Sequence, residues 1–163
     1  MSERRTSIRG SVQNPQSVQR LNTNEHRCQW VMWKAVGDKP DKVPYSASDG
    51  LKASSTDLLT WSSFEEALEA YEDGEYAGLG FVFSSGDPYT GVDLDNCVDD
   101  QTGQIAPWAL EIIRYFDGYT ELSATGTGVH IIVRGNVPNR RKGDIEVYSS
   151  KRFFTVTGHV LEA

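Results

Sequence analysis

Two aspartates separated by one residue are the first candidates for chemistry in this sequence. Asp93 and Asp95 alternate with Val92 and Leu94. Alternate side chains of a β-strand share one face, so both carboxylates would point the same way with their Cα atoms roughly 6.5–7 Å apart. Two such anions repel each other unless a cation neutralises them, and oxygen ligands suit Mg²⁺ or Mn²⁺. A solvated strand end that carries two acids is the alternative.

A second acidic segment has the same alternation. Asp144, Glu146 and Tyr148 would share one face of a strand, and Glu146 has an apolar residue on either side. A carboxylate buried at the centre of a strand requires a partner. A role as third metal ligand would supply one, and a salt bridge to a neighbouring arginine would supply another. The sequence leaves both open.

A glycine-rich segment over residues 123–130 could hold an anion. Small residues let the backbone approach phosphate oxygens closely, and Ser123, Thr125 and Gly126 could contribute hydroxyl and amide donors. The segment is not a P-loop, because no Gly-Lys-Ser/Thr follows and a strand comes next. His130 lies on that otherwise apolar strand, as either a hydrogen-bonded structural residue or a contact for a triphosphate.

Positive charge is concentrated near these candidates. The net charge of the chain is −7, which argues against indiscriminate nucleic-acid binding, but residues 134–152 carry six basic and two acidic residues. Such cations could serve a phosphate-bearing substrate, or they could belong to a solvated loop. The candidates are Arg140, Arg141 and Lys142 for nucleic acid and Lys151 and Arg152 for a triphosphate.

A further candidate group for nucleic acid lies near the start of the predicted domain. Aromatic faces stack on bases and ammonium groups meet phosphates, so Trp33, Lys34 and Lys42 could bind a nucleic acid together. Core packing of the aromatic ring beside solvated lysines explains the same residues.

The predicted elements form an α+β fold. A capping box from Ser62 to Glu65 opens one helix, and Pro107 begins a second. The segments 79–84 and 90–95 are expected to pair as a hairpin, within an antiparallel sheet covered on one face by helices. The predicted strands cover residues 28–34, 79–84, 90–95, 119–123, 129–134, 144–148 and 153–157.

Length and composition suit one domain with a substantial core. The chain has 163 residues, of which 38% are hydrophobic, and no window approaches a membrane span. Residues 1–26 are polar and basic, which predicts a flexible arm that either contacts nucleic acid or has no binding role. Two cysteines and three histidines are too few for the common zinc sites, so no zinc is expected.

Several segments, in this order, resemble the motifs of archaeo-eukaryotic-type primases. They are similar above all to the bifunctional primase-polymerase (prim-pol) domain of phages and plasmids, over about residues 28–160. The segments are Lys42-Val-Pro-Tyr, Gly80-Phe-Val-Phe, Gly91-Val-Asp-Leu-Asp-Asn, Ser123-Ala-Thr-Gly-Thr-Gly-Val-His, the apolar-flanked Glu146, and Arg152-Phe-Phe-Thr-Val-Thr-Gly-His.

The resemblance implies a prim-pol catalytic domain over residues 27–163. Its core would contain an RRM-like, mainly antiparallel sheet beside a smaller α/β unit. Asp93, Asp95 and Glu146 would be the catalytic ligands of two Mg²⁺ or Mn²⁺ ions, His130 would contact the incoming nucleotide, and Ser123 and Arg152 are further candidates for the triphosphate.

The function expected from this resemblance is template-directed nucleotidyl transfer by a phage- or plasmid-type DNA primase and polymerase. Single-stranded DNA template or primer and NTP or dNTP would be its partners, in the cytoplasm of the host cell, with no membrane partner. A helical region and a helicase would follow in a longer parent chain. A metal-dependent nuclease that uses the same acids and a nucleic-acid-binding module without catalysis are the alternatives.

Overall fold

The computed structural model describes residues 28–38 and 41–161, so the arm expected over residues 1–26 lies outside them. Neither α-helix within these ranges has the length and apolar character that a membrane span requires. The strands are β1 (Trp30–Val36), β2 (Asp41–Tyr45), β3 (Gly78–Phe83), β4 (Tyr89–Leu94), β5 (Tyr119–Leu122), β6 (Val129–Arg134), β7 (Arg140–Lys142), β8 (Ile145–Tyr148) and β9 (Arg152–Val156). The helices are α1 (Phe64–Asp73) and α2 (Pro107–Phe116), with a short 3₁₀ helix at Leu58–Thr60.

The strands form two antiparallel sheets. The first has the order β2-β1-β3-β9, and the second has the order β5-β6-β4-β8-β7. The expected α+β class is confirmed, but the expectation of one sheet covered on one face by helices is wrong. The basic segment at residues 140–142, for which a solvated loop was an alternative, forms the edge strand of the second sheet.

The hairpin expected between residues 79–84 and 90–95 is also wrong. β3 pairs with β1 and β9, whereas β4 pairs with β6 and β8, so each strand already has two neighbours. The turn between them leads the chain from one sheet to the other. The Asp87 carboxylate stabilises this turn by accepting hydrogen bonds from the backbone N–H of Ser84 at 2.7 Å and of Tyr89 at 2.6 Å.

One core joins the two sheets. Phe81, Phe83 and Phe154 of the first sheet pack with Ile132 and Tyr89 of the second. Helix α1 closes another part of the same core, where the rings of Trp30 and Phe64 meet edge to face at 5.0 Å. Apolar burial between the sheets therefore sets the distance between β4 and β9.

Of the two interpretations left open for Trp33, the structure contradicts base stacking. The side chain of Trp33 is only 1% exposed, so its ring has no open face for a base. Lys34, which was grouped with it, places its ammonium 5.0 Å and 4.8 Å from the ring centres of Tyr45 and Tyr76. The Trp33 ring therefore belongs to the core, which was the alternative explanation.

A second core lies between the other face of the five-stranded sheet and α2. Val92 and Leu94 are fully buried there with Val129 and Ile131, and Ala109 of α2 packs against them. Asp93, between Val92 and Leu94, must therefore point toward the opposite face, as the alternation predicted. Helix α2 begins at Pro107, as expected.

Helix α1 is capped one residue later than predicted. Ser63 is the N-cap, and its side chain and that of Glu66 form the reciprocal capping box. Ser62 is unavailable because its backbone N–H and C=O both bond to Trp30, at 2.9 and 3.0 Å. The bridge to β1 thus shifts the helix start.

A side chain at position 91 would clash with aromatic rings that pack between the two sheets. A Cβ atom built there would lie 2.4 Å from Phe83 Cζ and 2.5 Å from Phe154 Cε2. We expect Gly91→Ala to destabilise the fold by about 1–3 kcal/mol, because two packed rings must move. Urea unfolding measures the change. Gly86→Ala is the matched control, since a Cβ there meets nothing within 4 Å; equal stability of the two variants would contradict the close packing.

Candidate active site

Charged side chains line up across all five strands of the second sheet. Backbone register places them directly opposite one another, and directly opposite residues share a face of the sheet. The row runs Glu121 on β5, His130 on β6, Asp93 on β4, Glu146 on β8 and Arg141 on β7. It faces the first sheet, because the His130 ring stacks on Phe154 of β9 with ring centres 4.6 Å apart.

Asp93 occupies the centre of this row. Its Oδ1 atom lies 3.4 Å from Nε2 of His130, and the side chain is 19% exposed. The contact is an ion pair, and among the described residues no donor makes a hydrogen bond of good geometry to this buried oxygen. A buried carboxylate oxygen without a donor is costly, and a bound cation would remove that cost.

His130 is held on three sides. Its Nδ1 atom lies 3.0 Å from the carbonyl oxygen of Thr155 and 3.9 Å from Oε1 of Glu121. Burial of the ring disfavours the charged form, but the neighbouring carboxylates of Asp93 and Glu121 outweigh it and raise the pKa of His130 to about 9. The imidazole therefore carries a proton at neutral pH in the metal-free protein.

Asp95 lies just beyond the end of β4, and its backbone N–H donates to the carbonyl oxygen of Asp144 at 2.8 Å. Burial raises the pKa of Asp95, and the charges of Asp93, Glu146 and Asp144 raise it further, while His130 acts in the opposite direction. The acids around Asp95 thus leave a local excess of negative charge, which is the electrostatic condition for binding a cation.

Glu146 shares the face of Asp93 but already has partners. Arg141 Nε lies 3.0 Å from its Oε1, and the Tyr148 hydroxyl donates to its Oε2 at 2.6 Å. Within residues 28–38 and 41–161, no three His, Cys, Asp or Glu side chains are gathered closely enough to hold a metal ion. The chemistry of the donors still fits a divalent ion, because they are hard oxygen ligands and one oxygen of Asp93 lacks a donor.

The glycine-rich segment lies against the end of β4. The carbonyl oxygen of Thr127 accepts from the backbone N–H groups of Cys97 and Val98, and a Cβ on Gly128 would lie 3.7 Å from the Cα atom of Asp95. Hydroxyl contacts at 3.1 and 2.9 Å link Ser123 to Thr125 and Thr125 to Thr127. Gly126 has φ +77°, a conformation that favours glycine. The hydroxyl-bearing segment thus borders the acids.

The ammonium group of Lys42 interacts electrostatically with Asp93 and Asp95, in addition to its predicted role in nucleic-acid binding. The residue as a whole is exposed. Burial nonetheless lowers the pKa of Lys42, and Asp93 and Asp95 act on it in the opposite direction. Its ammonium, which also lies 5.9 Å from the ring centre of Trp33, is therefore within electrostatic range of the acidic pair.

The basic residues expected near the site separate into different positions. Arg141 shares the acidic face, whereas Arg140 and Lys142 lie opposite Val147 and Ile145 and so belong to the face that carries α2. The Arg152 guanidinium lies 5.2 Å from the ring centre of Tyr148, which in turn bonds Glu146. Lys151 is exposed, and its carbonyl oxygen accepts from the Ser55 hydroxyl.

Glu121 is the residue that the sequence analysis missed. Its side chain is only 1% exposed and accepts hydrogen bonds from the backbone N–H groups of Thr157 and Gly158 and from the Tyr119 hydroxyl. The signal that could have identified it was an acid at the third position of a short predicted strand. This signal identifies a functional residue only when the strand register, which places Glu121 opposite His130, is known.

The raised pKa of His130 predicts a specific pH dependence of stability. The folded-state pKa of about 9 lies above the unfolded value of 6.5, so the stabilisation is fully present below pH 6.5 and is lost as the pH rises toward 9. In EDTA, we expect the wild-type protein to lose about 2–3 kcal/mol more over this window than His130→Gln. Urea unfolding at several pH values measures both slopes, and parallel slopes would contradict the assignment.

Comparison with known proteins gives one informative match, and no family model matches the chain. The sequence is 38% identical over 142 residues to a protein of Nitratiruptor phage NrS-1 that is named DNA primase-polymerase. The match covers 82% of this chain and 20% of that protein, so this chain spans about one fifth of its relative's length. Over the matched residues, this chain is therefore similar to a phage protein named DNA primase-polymerase, which supports the resemblance that its motifs indicated.

Proposed function

We propose that this domain carries the nucleotidyl-transfer centre of a phage-type DNA primase-polymerase, with the prim-pol core that the motifs imply. The observation that carries the proposal is the register of three neighbouring strands, in which Asp93 lies directly between His130 and Glu146. The similarity to a protein named DNA primase-polymerase supports the reaction class.

Asp93, Asp95 and Glu146 would hold two divalent ions, Mg²⁺ or Mn²⁺. Such ions, when bound, lower the pKa of the attacking hydroxyl and neutralise the leaving pyrophosphate. Asp93 is prepared for this role because its buried Oδ1 has no hydrogen-bond donor. Asp95 is prepared because burial and then the neighbouring acids raise its pKa, and a cation would relieve the repulsion between these acids.

The residues around the acids would bind the triphosphate of an NTP or dNTP. The segment with Ser123, Thr125 and Gly126 borders Asp95 and offers hydroxyl and amide donors. Arg152, and in this proposal Lys151, would supply positive charge at the edge of the site, and Lys42 would balance the acids from the first sheet. His130, whose Nε2 points at Asp93, would contact the nucleotide beside the ions.

The macromolecular partners follow from the reaction. A template and primer of single-stranded DNA would reach the site at the exposed edge strand β7, where Arg140 and Lys142 would be further contacts. A longer parent chain with a helical and a helicase region fits the fact that this chain spans one fifth of its relative. The host cytoplasm is the compartment where such replication takes place.

The decisive experiment replaces the two aspartates. We expect Asp93→Asn and Asp95→Asn each to lower nucleotide incorporation by roughly 1000-fold or more, because the ligands of the reacting ions are lost. Primer-extension and de novo synthesis assays, with Mg²⁺ or Mn²⁺ and with NTPs or dNTPs, measure this loss. Asp100→Asn is the matched control, since it removes an exposed acid a few residues away.

The same assays separate the proposal from its alternatives. If the wild-type protein incorporates nucleotides and Asp93→Asn does so equally well, the assignment of the acids is contradicted. Shortening of a labelled primer without added nucleotides, lost in the same variants, would indicate a nuclease instead. Circular dichroism spectra that match the wild type would show that the variants fold.

A further inference from the structure

The third acid of the site is engaged by donors of the chain itself. Arg141 lies directly opposite Glu146 on the edge strand β7, with Nε 3.0 Å from Oε1. The Tyr148 hydroxyl donates to the other oxygen at 2.6 Å. Both carboxylate oxygens of Glu146 therefore have a partner, whereas one oxygen of Asp93 accepts no hydrogen bond from any residue that the structure describes.

The two members of this ion pair differ in their exposure to solvent. The side chain of Glu146 is 14% exposed, and that of Arg141 is 74% exposed. A carboxylate that is largely buried needs a counter-ion. A guanidinium that is mostly in water loses little when the contact breaks, because exposed ion pairs contribute little to stability. Glu146 therefore needs a counter-ion, whereas Arg141 can leave the ion pair at little cost in free energy.

We propose that Arg141 is an internal counter-ion that competes with a divalent cation for Glu146. In the metal-free protein the guanidinium neutralises Glu146, and the carboxylate exchanges this partner for the ions held by Asp93 and Asp95. Arg141 is then a positioning residue that controls when the third ligand is available. The inference rests on the proposed metal site and adds Arg141 as a residue that competes with the metal ion for Glu146.

The register of β7 makes the competition specific to one of three neighbouring basic residues. Arg140 and Lys142 lie opposite Val147 and Ile145, on the face that carries α2. Arg140 therefore has the same charge and the same strand as Arg141 but not the same face. Its replacement measures the general effect of removing one positive charge from this edge.

The test is a titration with Mn²⁺ alone, followed by electron paramagnetic resonance of the free ion. We expect Arg141→Gln to bind Mn²⁺ about 2- to 5-fold more tightly than Arg140→Gln, which is the change that the loss of one exposed ion pair allows. In a Glu146→Gln background, Arg141→Gln should have no further effect on Mn²⁺ affinity. This double-mutant cycle assigns the effect to the pair.

The outcomes separate this inference from the proposed function. If the wild type binds Mn²⁺ but Arg141→Gln binds it no more tightly than Arg140→Gln, the competition is refuted and the metal site remains. A gain that persists without the Glu146 carboxylate would also refute it. If the wild type binds no Mn²⁺ at millimolar concentration, both the metal site and the competition fail.

Discussion

The register of β4 with β6 and β8 is the constraint on which the site depends. A slip of one residue along either strand would turn His130 or Glu146 to the face covered by α2. Apolar packing opposes such a slip, because Val92 and Leu94 are fully buried and fill the opposite face. The free energy that fixes the acids therefore comes from hydrophobic burial behind them and not from their own contacts.

The charges of the row differ in how well they are compensated. At one end, Glu121 is fully buried and accepts bonds from three donors of the chain. At the other end, Arg141 neutralises Glu146. Between them, Asp93 has an ion pair with His130, and burial and the surrounding acids raise the pKa of Asp95. The negative charge that is least compensated thus lies at the two aspartates, where we propose that a cation binds.

The local parts of this arrangement could be predicted from the sequence, and the non-local parts could not. Alternation of acidic and apolar residues correctly predicted that Asp93 points away from the core of Val92 and Leu94, since side-chain direction in a strand depends only on position. Strand partners depend on contacts distant in sequence, so two strands joined by a short turn were wrongly paired. Glu121 was missed for the same reason: its role exists only through its register with His130.

The two ends of the row are held in place by different numbers of buried hydrogen bonds. Glu121 and His130 are tied to the backbone of β9 and its following turn, through Thr155 and Thr157, so movement at that end would break several buried hydrogen bonds. Strand β7 is an edge strand with exposed side chains, and its register contacts reach only β8. Rearrangement on ligand binding should therefore begin with the side chains of β7 and β8, while β6 and β4 hold the histidine and the first aspartate in place. A metal centre of the kind we propose would have to keep its geometry and still exchange charged ligands. The five-stranded sheet provides for both by placing the aspartates between a buried strand and an exposed edge strand.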